Sequence, residues 1–461
     1  MNKKRQESLE AVHTHTHTHT HTHTNNLRKE KGITLVALVV TIVVLLILAG
    51  VSINLVVGQN GLITRAKEAK KRTEEAINKE EKEFANAQLE INYTEKPKDD
   101  DLNPELKKFI AKYNITEDNQ EITFPIRHPI GECEIDFGDG VKMNINLNAS
   151  NVIHQYKEKG EYIIEISGKA NSFNYFFDSK DNDKIIQLLQ WGTVFNIISF
   201  ANCTNLTGEI PAPSTNTMKN MTSVVRLFKN TSITGQIPAY LFYGGENIEF
   251  AYECFQGCKN LNSLIPETLF QDMKNLKQTH TMFSDSGIKG KIPSNLFKNN
   301  EKLESVNYMF SGCENITGTI PGNLFDNNLN IKSFRGIFRK CGISNIESNL
   351  FSKNTIATDF VNVFRECYNL KSIPEGLFEK NVEASLFNDC FRECESLESM
   401  PANLFSTNTK ATNYTETFYS CKKLKGIALN LWNRGDGIIG TKCFFDCTGL
   451  SNYENIPDDW K

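Results

Sequence analysis

The sequence predicts an α+β multidomain chain that ends in a solenoid, and three periodic columns carry that prediction. A pattern F-x-x-(C/S/T)-x-x-(L/I) recurs at Phe200, Phe228, Phe255, Phe283, Phe310, Phe338, Phe364, Phe391, Phe418 and Phe444, at spacings of 26 to 28 residues. An Ile-Pro pair keeps the same period from Ile210-Pro211 to Ile456-Pro457, with Met400-Pro401 as a variant. A Leu-Phe pair does so from Leu241-Phe242 to Leu404-Phe405 and closes as Leu431-Trp432. A unit this short cannot bury its own apolar face, so each coil must stack on its neighbours.

Ahead of each Phe the apolar residues are spaced as in Leu303, Val306, Met309 and Phe310, which suits a helical or 3₁₀ turn with one buried stripe. After the Cys column comes a short extended piece such as Leu370-Lys371-Ser372-Ile373, closed by Pro374. Proline is acceptable at a strand end, where no ladder donor is needed. One short strand and one helical segment per coil describe a leucine-rich-repeat horseshoe of about ten repeats, placed at 171–461. F-x-x-C-x-x-L followed by I-P resembles the BspA-like leucine-rich-repeat surface proteins of bacteria. The resemblance covers about 190–461 and departs from that family in the length of the coil and the inserted Leu-Phe. It implies a cell-surface adhesion or binding protein.

Upstream, 461 residues at 39% hydrophobic and 23% charged allow several modules with an ample core. A net charge of −4 gives no reason to expect a nucleic-acid partner. Residues 1–32 read as a leader, within which His13 to Thr24 alternates His and Thr. The alternation suits either a metal-binding tract or a low-complexity insertion, and the second is favoured because no Cys or carboxylate stands among the histidines. Residues 33–61 carry no charge and are long enough to span a bilayer as a transmembrane helix. Basic residues, Gly32 and a long apolar run together resemble a type IV prepilin-type N-terminus. The resemblance implies a prepilin-type peptidase that cuts after Gly32 and leaves Ile33 as the first residue. Pilins carry Glu as the fifth residue after the cut, where this chain has Ala37.

Residues 62–104 read as a charged helical stalk, with i,i+4 pairs such as Lys70 and Glu74, and a linker from Pro97 to Pro104 that holds Asp99-Asp100-Asp101. The expected placement is a single-pass protein of the cell membrane with its C-terminal domains extracellular. Residues 105–170 turn β-rich, with strands expected at Glu121 to Ile126, Glu132 to Phe137, Met143 to Leu147 and Tyr162 to Ile166. Asp136-Phe137-Gly138-Asp139-Gly140, with His154-Gln155-Tyr156 and Gly160-Glu161-Tyr162, resembles the PKD-type domain, a small immunoglobulin-like β-sandwich that serves as a spacer or adhesion module. Asp136 and Asp139 invite a calcium site, but a site would need six or more oxygens, and a turn held by carboxylate-to-backbone hydrogen bonds accounts for both. His154 fits a packed turn residue.

No hydrolase elbow, zinc-protease helix, phosphate-binding loop or dinucleotide fingerprint is present, so neither an enzyme nor a cofactor is expected. Eight of the twelve cysteines occupy the third position after the Phe: Cys203, Cys258, Cys313, Cys341, Cys367, Cys394, Cys421 and Cys447. Cys254, Cys390 and Cys443 immediately precede it. Thr231, Ser286, Leu227 and Met309 fill the same slots in other coils, which favours buried packing thiols over metal ligands. Coil spacing alone permits disulfides, but equivalent side chains in stacked coils point the same way rather than converging.

The expected ligand surface is the strand side, at Asn262, Ser263, Lys289, Lys291, Thr317, Thr319, Lys371 and Ser372, positions that vary while the core columns hold. Small polar residues there imply a flat hydrogen-bonding surface for an extracellular protein or glycan ligand. A minor pilin or pseudopilin decorating a filament is the rival function. For the leader, the expectation is an N-terminus at Ile33 on sequencing the isolated protein and loss of the cut in Gly32→Ala. An N-terminus still at Met1 or Asn2 refutes it.

Overall fold

The computed structural model describes residues 97, 103–145, 152–176 and 180–461. The chain divides into two compact units, Met1–Ala85 and Asn86–Lys461, and every described residue belongs to the second. Gly32, Ile33, Ala37, the His-Thr tract, the expected span at 33–61 and nearly all of the expected stalk at 62–104 lie outside the described residues.

The N-terminal part is a β-sandwich. Its larger sheet contains β1 (Phe109–Ile115), β3 (Ile126–Asp136), β4 (Lys142–Asn144), β6 (Gly160–Asn174), β7 (Ile185–Gln190) and β8 (Phe195–Ser199). The order is β4-β3-β6-β1-β7, and β8 joins β6 in parallel. β2 (Gln120–Phe124) and β5 (Val152–Tyr156) form an antiparallel pair of their own. Alternation in β1 buries Phe109, Ala111, Tyr113 and Ile115 and turns Lys112 and Asn114 outward. Tyr113 meets Phe124 at 5.1 Å and Phe124 meets Phe137 at 5.5 Å between ring centroids, so the two sheets share one aromatic core.

β6 is the central strand, and it changes partners along its length. Its first half pairs β1, its last residues pair β8, and β3 follows it on the other side. Gly168 marks the change: its φ is +91°, and a Cβ there would lie 2.0 Å from the Glu132 carbonyl oxygen. β8 in turn bridges Ser223 of the next coil through Ile197, which links the sandwich sheet to the array. The sheet therefore covers the first coil. Trp191 reinforces it by donating its indole N–H to the Pro211 carbonyl at 2.6 Å.

The array is a solenoid whose coils stack in parallel. One set of bridges joins residues five before each Phe from Phe228 onward, as two runs: Ser223, Phe250, Gln278 and Ser305, with Ile197 bridged to Ser223 ahead of them, then Ser333, Asp359, Leu386, Asn413 and Ile439. A second set lies on the strand side and is fullest where β9 (Thr317–Ile320) pairs β10 (Gly342–Ile346). The ten anchoring phenylalanines form one column of nine stacked contacts, with centroids 5.4 to 5.9 Å apart. Phe334, Phe360, Phe387 and Tyr414 add a second column in the C-terminal half only.

The α+β class is corrected by what surrounds each Phe. Among the described residues there is no α-helix, only 3₁₀ turns at Pro104–Lys107 and Tyr453–Asn455. The stripe of Val306, Met309 and Phe310 sits on linked turns instead: Met309 N–H donates to Val306 O at 3.1 Å, Ser311 to Tyr308 at 3.1 Å and Cys313 to Phe310 at 3.1 Å. The intervening donors leave the coil, from Tyr308 to Arg335 O at 2.9 Å, Phe310 to Ile337 O at 3.0 Å and Gly312 to Arg339 O at 2.8 Å. Such alternation needs positive φ two residues before and after the Phe, and Tyr308 and Gly312 stand at 55° and 75°. An α-helix would close every donor within its own coil. The single-pass membrane placement is corrected as well: no helix of the described residues is long and apolar enough to cross a membrane.

A column of asparagines also holds the coils together. Asn300, Asn328, Asn354, Asn381 and Asn408 are fully buried four residues after each Leu of the Leu-Phe pair. Each donates its amide to two carbonyls of the preceding coil, as Asn354 does to Asn328 O at 2.9 Å and Phe325 O at 3.4 Å. Arg434 ends the column by donating to Phe405 O at 2.9 Å, Asn408 O at 3.4 Å and Tyr414 Oη at 2.6 Å. Phe310→Ala is expected to lower unfolding free energy by about 3–5 kcal/mol through the cavity it leaves. Asn354→Ala should cost about 1–3 kcal/mol through the two buried inter-coil hydrogen bonds it removes. Denaturant titration of each variant checks both.

Candidate functional site

The strand side is the surface that sequence columns single out, and the structure exposes most of it. Asn262, Lys291, Thr317, Thr319, Lys371 and Ser372 are exposed, and Lys289 is half-buried. Ser263 is the exception: it is fully buried, accepts from Ile237 N–H at 2.8 Å and donates to Leu264 O at 2.6 Å. Its neighbour Leu264 is 54% exposed in its place. Parallel bridges Leu264 to Lys289, Gly290 to Ile316 and Ser372 to Ser399, with the β9–β10 pair, bring these residues into one strip across adjacent coils.

Glycine keeps the strip flat. Gly290 and Gly318 have φ of 82° and 85°, and the side chains of the preceding coil lie over them. A Cβ on Gly290 would meet Leu264 Cδ2 at 2.6 Å, and one on Gly318 would meet the Lys291 stem at 3.5 Å. Residues such as Lys291 are thereby laid along the array rather than standing off it.

A second surface was not visible from the periodicity. Residues flanking Phe228, Phe338, Phe364 and Phe391 point outward and form ion pairs with the next coil. Arg226 meets Glu253 at 2.6 Å, Arg335 meets Asp359 at 2.9 Å, Arg339 meets Glu366 at 2.8 Å, and Arg392 meets Glu416. Partial burial pushes the Glu253 and Glu366 carboxyls up. Hydrogen bonds from Arg226 and Lys229 to the first, and from Arg339 and Arg365 to the second, outweigh that and hold both below the ordinary value. Aromatic rings continue the stacking outside the core: Tyr252 lies 4.4 Å from His280 and Tyr419 lies 4.8 Å from Phe445. The signal in the sequence was an Arg or Lys in one coil facing an acid 24 to 27 residues later. These pairs satisfy one another and leave little charge for a partner.

Between the two surfaces runs an open groove of about 320 Å³, lined by Lys259, Asp285, Ser286, Gly287, Gly312, Glu314 and Lys340. It lies beside coils in which one residue fewer separates the Cys slot from the Leu slot, as in Ser286-Gly287-Ile288 and Cys341-Gly342-Ile343. Lys340 pairs with Glu314 at 2.9 Å across it.

In the sandwich, Asp136 accepts from Gly138 N–H at 3.0 Å and Asp139 from Val141 N–H at 3.1 Å. Asp139 also meets His154 Nε2 at 2.8 Å, and the His154 ring stacks 4.0 Å from Phe137. The acids and the histidine thus hold a turn together. Among the described residues no group of three or more His, Cys, Asp or Glu is arranged to hold a metal ion.

All twelve cysteines are free and buried. Seven of the repeat column donate S–H to the Phe carbonyl one coil back, at 2.9 to 3.1 Å; Cys313 reaches Phe283 O at 2.9 Å. Burial pushes the Cys258, Cys313 and Cys367 thiols up to about 12.

The fold and strip define a parallel-stacked repeat scaffold with an exposed strand side, and parts of several solved structures are weakly similar to it. The LRR ectodomain of the Arabidopsis receptor kinase HAESA, in complex with an N-terminally extended IDA peptide hormone ligand, shares 16% identity at a TM-score of 0.28 over 53% of this chain and 45% of its own. HAESA with IDA and the co-receptor SERK1 shares 15% at 0.23, over 56% of this chain and 53% of its own. The Drosophila Toll–Spätzle complex shares 16% at 0.16, over 43% and 35%. The chain spans about half or less of the solved chains it matches. No family model and no curated protein matches the sequence.

The thiols generate a prediction. A folded-state value raised above the unfolded one stabilises the fold fully at neutral pH and is lost as pH climbs. Unfolding free energy should therefore fall once pH passes about 9, where unfolded thiols ionise and buried ones do not. A thiol-alkylating reagent at pH 8 should label the native chain negligibly and the denatured chain at all twelve cysteines. Mass spectrometry showing labelled or disulfide-linked cysteines in native protein refutes this.

Proposed function

We propose that this chain is a non-enzymatic protein-binding scaffold whose strand side carries the partner. The observation that supports it most directly is the strip itself: exposed Asn262, Lys291, Thr317, Thr319, Lys371 and Ser372 fall on bridged coils, while nothing in the core requires those side chains. A surface laid flat by glycine notches engages a partner over several coils, with each contact weak and the sum adequate. The strip is an open surface rather than a cavity, which suits a partner spread over several coils better than a small-molecule substrate. Glycan binding is the second form of this proposal, because small hydroxyl and amide side chains hydrogen-bond sugars as readily as peptides.

The test is steric. Peptide and glycan arrays are probed with the full chain, and the best ligand is titrated against Thr319→Trp and against Lys353→Trp, an exposed site away from the strip. Affinity should fall by about tenfold or more in the first, which is about 1.4 kcal/mol, and stay within about twofold in the second. Unchanged affinity in Thr319→Trp, with circular dichroism matching the parent, overturns the assignment of the face.

A further inference from the structure

The charges of the strip are unlike those on the rest of the array. Around Phe228, Phe338, Phe364 and Phe391, arginines are matched with acids. On the Leu-Phe side, Lys274, Lys277 and Lys410 are matched with Glu246, Glu249 and Glu383. Within the strip from Asn262 to Asn345 the only charged positions are Lys289 and Lys291, and neither makes an ion pair among the described residues.

The acids nearest in sequence to the strip on these coils already have partners. Glu314 is held by Lys340 at 2.9 Å, Glu267 accepts from Asn295 at 2.7 Å, and Glu347 accepts from Gly322 N–H at 2.7 Å. Asp285 accepts from Ser284 Oγ at 2.9 Å. Farther along the strip Lys371 has Glu398 on the adjacent coil, so that part is closer to neutral. Positive charge is therefore concentrated on one coil, beside the uncharged Thr317 and Thr319.

We infer that the partner presents an acidic peptide segment, whose carboxylates meet Lys289 and Lys291 while its backbone lies against Thr317 and Thr319. The inference rests on the strand-side reading above and names the chemistry of its partner. Lysine fits such a contact, because a compact ammonium on a long stem adapts to carboxylates without the fixed fork that arginine would impose. Lys291 already lies along its neighbour over Gly318, which leaves less side-chain freedom to be lost on binding.

Fluorescence anisotropy of the full chain with a labelled oligoglutamate peptide tests this, with oligolysine and a heparin oligosaccharide as parallel probes. Oligoglutamate should bind, weaken about tenfold in Lys289→Gln/Lys291→Gln, stay within about twofold in Lys353→Gln, an exposed site away from the strip, and weaken as salt is raised. Binding of oligoglutamate that the double substitution leaves unchanged overturns the inference, as does failure of oligoglutamate to bind any better than oligolysine. Heparin binding that the double substitution removes, with no oligoglutamate binding, assigns the lysines to an anionic glycan and also overturns it. Loss of array-selected binding in Thr319→Trp with no effect of the lysine pair overturns this inference alone. An inert Thr319→Trp overturns the strand-side reading beneath it.

Discussion

Every second backbone donor around each core Phe must find an acceptor on the neighbouring coil, and the rest of the array follows from that requirement. The segment is buried, so an unmade bond there would cost about 1–3 kcal/mol. Alternate bonding sets the stacking distance, and the distance in turn brings Phe rings to 5.4 to 5.9 Å and thiols within reach of the carbonyl behind them. It also places residues such as Thr281, Tyr308, Asn362 and Glu416 at positive φ. That conformation costs about 1 kcal/mol or more for a non-Gly residue, and the inter-coil bond on either side offsets it.

The same requirement explains what the sequence disclosed and what it concealed. Repeat length, coil stacking, the burial of the Phe and Cys columns and the exposed strand side were all legible, because each depends only on period and polarity. The turn structure was not. Linked turns and a helix place apolar residues at nearly the same intervals, so Val306, Met309 and Phe310 fit both. A discriminating signal lay in another column of the first five coils: two residues after the Phe stand Asn202, Asn230, Gly257, Asp285 and Gly312, the residue types that tolerate positive φ, whereas later coils place Lys340, Glu366, Glu393 and Ser420 at the same angle. Ser263 misled for a related reason, since a serine in a polar column can turn inward when a backbone N–H needs it. Which charges were paired depended on contacts 24 to 28 residues apart, and spacing alone does not reveal them.

The two ends of the array are closed by different means. At the start, β8 supplies a complete strand edge and Trp191 packs 5.7 Å from Phe228. At the far end Lys442 and Phe444 donate to Asp459 and Trp460 at 2.7 and 2.8 Å, which stand in for a further coil. Trp432 meets Trp460 at 6.0 Å above the last Phe. Aromatic side chains serve at both ends because they cover a coil's whole cross-section with few rotatable bonds.

The asparagine column has a consequence for how such a chain can change over generations. Each buried amide reads only the coil behind it, so duplicating or deleting one whole unit between Asn300 and Asn408 leaves every hydrogen bond of the column satisfied. Recombination out of step between repeats would therefore lengthen or shorten the molecule at little energetic penalty, as long as the unit carrying Arg434 stays last. A break within a unit would separate an amide from its carbonyls and be eliminated. Variation in this protein should accordingly come in steps of one coil, and the breadth of the strand side would be the quantity on which selection acts.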